Sequence, residues 1–244
     1  MIEYFKKIYN GTVEDFYNLV FENLKNNKKM FIITANTETL VNAEENVVLK
    51  NTLLKDSTTV IADGIGIIKG AKILKHSIKE IIPGVELSEK LLKFCNESEK
   101  SIYLFGAKKE VIKKFVDVIK IKYPKIIISG FSDGYIDNKQ EVFSDIAQKK
   151  PDVVLVALGV PMQELLISEN IDKFEKGIFV GVGGSFDVLS GTKKRAPKTF
   201  RNLKLEWLYR IIREPKRIGK FVKCNYKYVK KILEEKCGRN VNND

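Results

Sequence analysis

The sequence predicts an α/β fold: a parallel sheet with helices on both faces, followed by a basic helical appendage. Three observations carry that expectation. Six short, apolar, largely β-branched runs recur before Gly191, amphipathic stretches separate them, and beyond Gly191 the chain turns basic and proline-punctuated. Alternation of strand and helix means βαβ units, because parallel neighbours need a crossover between them.

Taken in order, Met30–Ala35 reads as the first strand and Glu38–Lys55 as one long periodic helix. Thr58–Ala62 is the second strand, and Glu86–Asn96 is the helix before a third strand, Ser101–Phe105. Glu110–Lys122, Ile126–Gly130 and Glu141–Lys149 continue as helix, strand, helix, and Val153–Leu158 and Ile178–Val182 complete the set of strands. The strands are apolar throughout instead of alternating, as strands covered on both faces are. The expected organisation is a Rossmann-like body over residues 1–192 and an appendage over residues 193–244.

At 244 residues with 44% apolar content, the chain suits one domain with a substantial core. Its cysteines, Cys95, Cys224 and Cys237, are odd in number and lack CxxC spacing, which points to a reducing compartment. His76 is the only histidine, so a multi-histidine metal centre is excluded; it reads as a surface residue. The first residues lack a signal-peptide core, and no apolar run reaches the roughly 18–20 residues of a membrane span. The expected location is cytoplasmic, with any membrane contact peripheral.

Charge is distributed unevenly. Lys193 to Lys236 holds sixteen Lys or Arg and four Glu, a net +12 that equals the net charge of the entire chain. A basic amphipathic helix suits an anionic leaflet or a nucleic-acid backbone, or docks on its own domain with a solvated face. No RNA-binding aromatic motif or helix-turn-helix favours nucleic acid.

In an open parallel sheet, ligands bind beyond the carboxyl ends of the strands. Those ends read Ala35-Asn36-Thr37, Ala62-Asp63-Gly64, Phe105-Gly106-Ala107, Leu158-Gly159-Val160-Pro161 and Gly181-Val182-Gly183-Gly184, with Gln163 and Glu164 just beyond the fourth. Gly106, Gly159, Pro161, Gly181, Gly183 and Gly184 are therefore candidate binding positions, alongside the polar Asn36, Thr37, Gln163 and Glu164. Asp63 at a strand tip is either a general base or the N-cap of the next helix. The glycine turn is either a phosphate cradle or a tight β-to-α turn; Phe186 occupies the sixth position of an incomplete GxGxxG. No Asp-x-Asp occurs, so pyrophosphate charge is expected to meet backbone amides and Arg or Lys without a metal.

Gly159-Val160-Pro161-Met162-Gln163-Glu164, Gly181–Gly191, Lys194-Arg195-Ala196-Pro197, Leu205-Glu206-Trp207-Leu208-Tyr209-Arg210 and Glu214-Pro215-Lys216-Arg217 follow one another along the chain. With Ala35-Asn36-Thr37, Ala62–Gly66 and Pro83–Leu87, they resemble the WecG/TagA/CpsF glycosyltransferase family over nearly the whole length. The resemblance implies an inverting, metal-independent transferase without cofactor. It would move a sugar, typically N-acetylmannosamine, from a UDP donor to the 4-hydroxyl of GlcNAc on undecaprenyl diphosphate, for wall teichoic acid or a related surface polysaccharide. Asp63 matches the family's proposed base, and Thr37 and Gln163 match pocket positions, with Asn36 beside them. Arg195, Arg210 and Arg217 are candidates to stabilise the leaving UDP, together with the glycine-turn amides. Met162 stands where many relatives have lysine, which leaves glucose or glucuronate as alternative donor sugars. A nicotinamide-dependent oxidoreductase or a nucleic-acid-binding module are the alternatives of other classes. The expected partners are both substrates and the anionic inner leaflet, not nucleic acid; a homo-oligomer stays open. The arginines are expected at the active site and the lysines beyond Pro215 at the lipid surface.

Overall fold

A computed structural model describes residues 1–241 and side chains through Gly238. Two helices, α1 (Ile2–Lys7) and α2 (Val13–Lys25), precede strand β1 (Lys29–Ala35). Then come α3 (Thr37–Glu45), α4 (Val47–Leu54), β2 (Thr58–Ala62), α5 (Ile65–Ile73), α6 (Gly84–Glu97) and β3 (Ser101–Gly106). The chain continues through α7 (Lys109–Lys122), β4 (Ile127–Ser132), α8 (Lys139–Lys149), β5 (Val153–Ala157), α9 (Met162–Asn170) and β6 (Gly177–Gly181). Four helices end it: α10 (Ser185–Leu189), α11 (Lys198–Asn202), α12 (Glu206–Arg213) and α13 (Ile218–Val241).

All strands pair in parallel, in the order β2-β1-β6-β5-β3-β4. The period-2 rule divides their side chains between two cores. Phe31, Ile33, Tyr103, Phe105, Val154, Val156 and Phe179 face one layer, while Ile32, Ile102, Leu104, Leu155, Ile178 and Val180 face the other. Both sets are buried, which is why the strands read as unbroken apolar runs.

The structure corrects one helix. Glu38–Lys55 is broken at Asn46, whose extended backbone ends α3 and whose side chain accepts the Leu49 N–H to start α4. An N-capping asparagine inside a periodic stretch is the local signal that divides it. The fourth strand also lies slightly later than expected, running to Ser132.

The appendage packs back onto the body. Tyr228 and Ile232 of α13 are buried in the same core as β1 and α3, and Tyr228 donates its hydroxyl proton to the Gly66 carbonyl at 3.1 Å. Gly70 of α5 leaves the space that this tyrosine fills: a Cβ there would lie 2.0 Å from its oxygen. Residues 242–244 of the expected appendage lie outside the described residues.

Candidate active site

The tips of β1 and β2 stand side by side, with Ala35 opposite Ala62 and the Asp63 N–H donating to the Ala35 carbonyl at 2.8 Å. Residues immediately beyond both strands therefore share one rim. A cavity of about 890 Å³ opens there. Asn36, Thr37, Asp63, Gly64 and Gly66 form its floor, and Ile81, Pro83 and Glu86 one wall. The roof comes from the C-terminal segment: Glu206, Trp207 and Arg210 of α12, then Arg217, Phe221 and Cys224. Trp207 stacks on Phe221 with ring centroids 5.1 Å apart, joining α12 to α13. The site thus needs both ends of the chain.

Asp63 does not cap the helix that follows it. Gly64, at φ +113°, is the N-cap residue of α5, and no side chain caps there. The Asp63 Oδ2 instead accepts the Gly84 N–H at 3.4 Å, at the first turn of α6. Burial pushes this carboxyl up to about 6; Arg210 and the Gly84 N–H pull it back, while Glu206 and Glu86 push it further up. A carboxylate of that basicity is still ionised at neutral pH and accepts a proton more readily than an ordinary aspartate.

Its neighbours are held by local geometry. Asn36 caps α3 in a capping box with Thr39, accepting its N–H at 3.0 Å. Thr37 packs so closely on α5 that a Cβ at Gly66 would lie 2.5 Å from its methyl carbon.

Other expected site residues gather elsewhere. Gln163 is buried, and its Oε1 accepts the N–H groups of Gly159 (3.2 Å) and Gly183 (3.0 Å), while its Nε2 donates to Glu164 Oε1 (2.8 Å). Glu164 is fully buried, and burial pushes its carboxyl up to about 7. Its Oε2 has no hydrogen-bond partner among the described residues. Of the two readings of the glycine turn, the tight β-to-α turn has the closer support: the Gly183 amide is engaged by Gln163, and α10 beyond it has only five residues. Gly106, Gly159, Pro161, Gln163, Glu164, Gly181, Gly183 and Gly184 do not line the cavity. Gly106, at φ +126°, serves close packing, since a Cβ there would lie 2.4 Å from the Ala157 carbonyl oxygen.

The three arginines separate. Arg210 and Arg217 line the cavity, and Arg217 pairs with Glu214 at 2.5 Å. Arg195 does not line it; its guanidinium pairs with Glu86 (2.6 Å) and Glu206 (3.5 Å). Four further cations, Lys69, Arg201, Lys204 and Lys220, line the cavity, and the Arg201 Nε is buried without a hydrogen-bond partner among the described residues. The sequence reading gave none of these four a place in the site. Lys69 lies three positions beyond Gly66, outside the motif, and Arg201, Lys204 and Lys220 were submerged in the general charge of the tail.

The lysines of α13 are also redistributed. Lys220 pairs with Glu38 at 2.6 Å, Lys231 with Glu44 at 3.6 Å, and Lys227 with Glu45. These three fasten α13 to α3, which corrects the expectation that the lysines after Pro215 face lipid together. A second face of α13 exposes Ile218, Val222, Tyr226, Val229 and Leu233, at helical spacing. Among the described residues no helix is long and apolar enough to cross a membrane.

Asp63, Arg210 and Arg217 thus line one crevice beyond the carboxyl ends of the strands, the place where open parallel sheets hold their ligands. Residues 5–242 match the profile described as "Glycosyl transferase WecG/TagA/CpsF family", and the chain belongs to that family. A relative from Bacillus spizizenii strain W23 is 37% identical over 211 residues, covering 86% of this chain and 81% of its own. One from Bacillus subtilis strain 168 is 40% identical over 183 residues, covering 75% and 71%. One from Staphylococcus aureus strain MW2 is 38% identical over 192 residues, covering 78% and 75%. All three are named N-acetylglucosaminyldiphosphoundecaprenol N-acetyl-beta-D-mannosaminyltransferase. Family membership replaces the oxidoreductase and nucleic-acid-module readings of the fold.

Proposed function

We propose that this chain transfers N-acetylmannosamine from UDP-N-acetylmannosamine to the 4-hydroxyl of GlcNAc on undecaprenyl diphosphate, supplying wall teichoic acid or a related surface polysaccharide. The observation that carries the reading is Asp63: a carboxylate pushed up to about 6, on the floor of a cavity roofed by Arg210 and Arg217. The names of the relatives supply the sugar and the lipid acceptor.

The reaction is a single displacement with inversion. Asp63 takes the proton of the acceptor 4-hydroxyl as that oxygen bonds to the anomeric carbon of the donor. The bond from the anomeric carbon to the UDP phosphate oxygen breaks, and UDP leaves with the electron pair. Arg210 and Arg217 stabilise the charge gathering on the diphosphate; Arg is suited because its planar fork matches phosphate and stays ionised. Lys69, Arg201 and Lys204 add positive potential for the second, lipid-borne diphosphate.

Contact with the anionic inner leaflet is proposed for the exposed face of α13. Ile218, Val222, Tyr226, Val229 and Leu233 provide the apolar surface, flanked by Lys223 and Lys230. The protein would act as a peripheral enzyme on the cytoplasmic side.

A panel of UDP-sugars assayed against a lipid-diphosphate-GlcNAc analogue tests the reading. Transfer from UDP-N-acetylmannosamine supports it. Transfer only from UDP-glucose or UDP-glucuronate keeps the family and replaces the donor, an outcome to which Met162 at the N-terminus of α9 draws attention.

A further inference from the structure

Arg195 stands apart from the cations that line the cavity, because both of its partners line the cavity and it does not. Its Nη2 meets the Glu86 Oε1 of α6, and its Nε meets the Glu206 Oε1 of α12, so one guanidinium spans two elements whose glutamates lie 120 positions apart in sequence. The planar fork offers each carboxylate its own nitrogen, a geometry that a single ammonium nitrogen does not reproduce. The side chain is mostly buried, at 20% exposure, and the next residue, Ala196, is buried as well. Two residues before it, Lys193 pairs with Glu214 at 3.0 Å, and its N–H donates to the Asp187 carbonyl at 2.8 Å. The segment is stitched to the body on one side and to the end of α12 on the other.

We propose that Arg195 is a positioning residue for the transfer: it clamps Glu86 of α6 to Glu206 of α12, holding the roof over Asp63 and fixing the charge on the wall beside it. It does not bind the diphosphate. The inference rests on Asp63 as the base only for its pH readout.

The charged groups around both centres are few. Asp63 faces Arg210 and Glu206 from α12, and Glu86 and the Gly84 N–H from α6. Arg195 acts on Glu86, Glu206 and the Tyr17 hydroxyl of α2, which also feels Glu89. Burial pushes Tyr17 up to about 12, so it stays neutral and does not compete for the guanidinium. Glu86 and Glu206 each push Asp63 upward, against Arg210, and Arg195 pairs with both glutamates. Without it, the two glutamates lose their shared ion-pair partner while Arg210 remains, and Asp63 needs a higher pH to ionise.

The test uses the full chain and four variants: Arg195→Gln, Arg195→Lys, the Glu86→Gln/Glu206→Gln pair, and the triple combination. For Arg195→Gln, UDP affinity by calorimetry should change less than about threefold, because the guanidinium is engaged by Glu86 and Glu206 and does not line the cavity. The acid limb of kcat/KM should move up by about half a pH unit, and amides of α12 should exchange at least about tenfold faster. Arg195→Lys restores the charge without the bridge, so the limb should return while exchange stays fast. In the triple variant the limb should fall to the wild-type position or below. An approximately tenfold or greater loss of UDP affinity in Arg195→Gln would make Arg195 a phosphate ligand and overturn the proposal. An unmoved limb with unmoved exchange would overturn it too. An acid limb that survives in Asp63→Asn removes the base reading instead, and the exchange result then decides Arg195 alone.

Discussion

Asp63 and Gly84 lie 21 positions apart in sequence, yet the Gly84 N–H donates to the Asp63 Oδ2 at 3.4 Å, joining the tip of β2 to the first turn of α6. That bond aims the carboxylate across the cavity and away from its own helix. It also opposes, without cancelling, the effect of burial on its proton affinity.

Removing the charge should separate chemistry from binding. Asp63→Asn keeps the shape and is expected to lower kcat by about 10²–10⁴, the usual contribution of a positioned general base. UDP affinity should stay within about twofold. Single-turnover assays and calorimetry check the two halves separately.

The same substitution should stabilise the protein, in a pH-dependent way. The folded-state value near 6 lies above the ordinary 3.8, so the stability linked to this group is present in full below about 4 and lost as pH rises through 6. At pH 8, Asp63→Asn should therefore gain on the order of 3 kcal/mol, and at pH 4 well under about 1 kcal/mol. Thermal melts at both pH values give the comparison; an equal gain at both would sever the link to ionisation.

The activity of the wild-type protein should fall below about pH 6, since the base must be ionised to accept a proton. Arg210 pulls the Asp63 carboxyl down, so Arg210→Gln should move that limb to higher pH as well as weaken UDP binding. A limb that stays in place would mean that Arg210 acts on phosphate alone.

The buried Gln163 should matter for stability. Gln163→Leu leaves the Gly159 and Gly183 amides and the Glu164 carboxyl without their partner, at a cost of about 2–4 kcal/mol. Denaturant titration measures it. Little change would show that water replaces the amide.

The two faces of α13 should respond differently. Val222→Glu with Val229→Glu puts charge on the exposed apolar face and should weaken binding to anionic vesicles about tenfold or more, while the melting temperature changes little. Ile232→Ala, on the buried face, should cost about 2–5 kcal/mol in stability. Sedimentation with vesicles and melting curves distinguish them.

Much of the body was legible because its signals are local. Runs such as Val153-Val154-Leu155-Val156-Ala157 announce a strand covered on both sides, and Asp63 at the end of Thr58–Ala62 announces a position in the crevice. What the sequence could not resolve depends on contacts between distant segments. Whether Asp63 caps α5 depends on where Gly84 lies, and whether Arg195 meets phosphate depends on Glu86 and Glu206. Lys220, Lys227 and Lys231 read as a free basic face until α3 brings Glu38, Glu45 and Glu44 opposite them. Composition counts charges; only the fold pairs them.

The strand order carries a consequence for the timing of synthesis. β6 is the last strand to be made, yet it lies between β1 and β5 near the middle of the sheet. Until the ribosome has passed Gly181, the pair β2-β1 and the trio β5-β3-β4 have no common neighbour. They must wait as two separate half-sheets with open inner edges, each a template for mispairing. Insertion of one five-residue strand then welds them together, and the remaining residues arrive only afterward to roof the site. A nascent chain of this protein becomes a sheet late, and an enzyme later still.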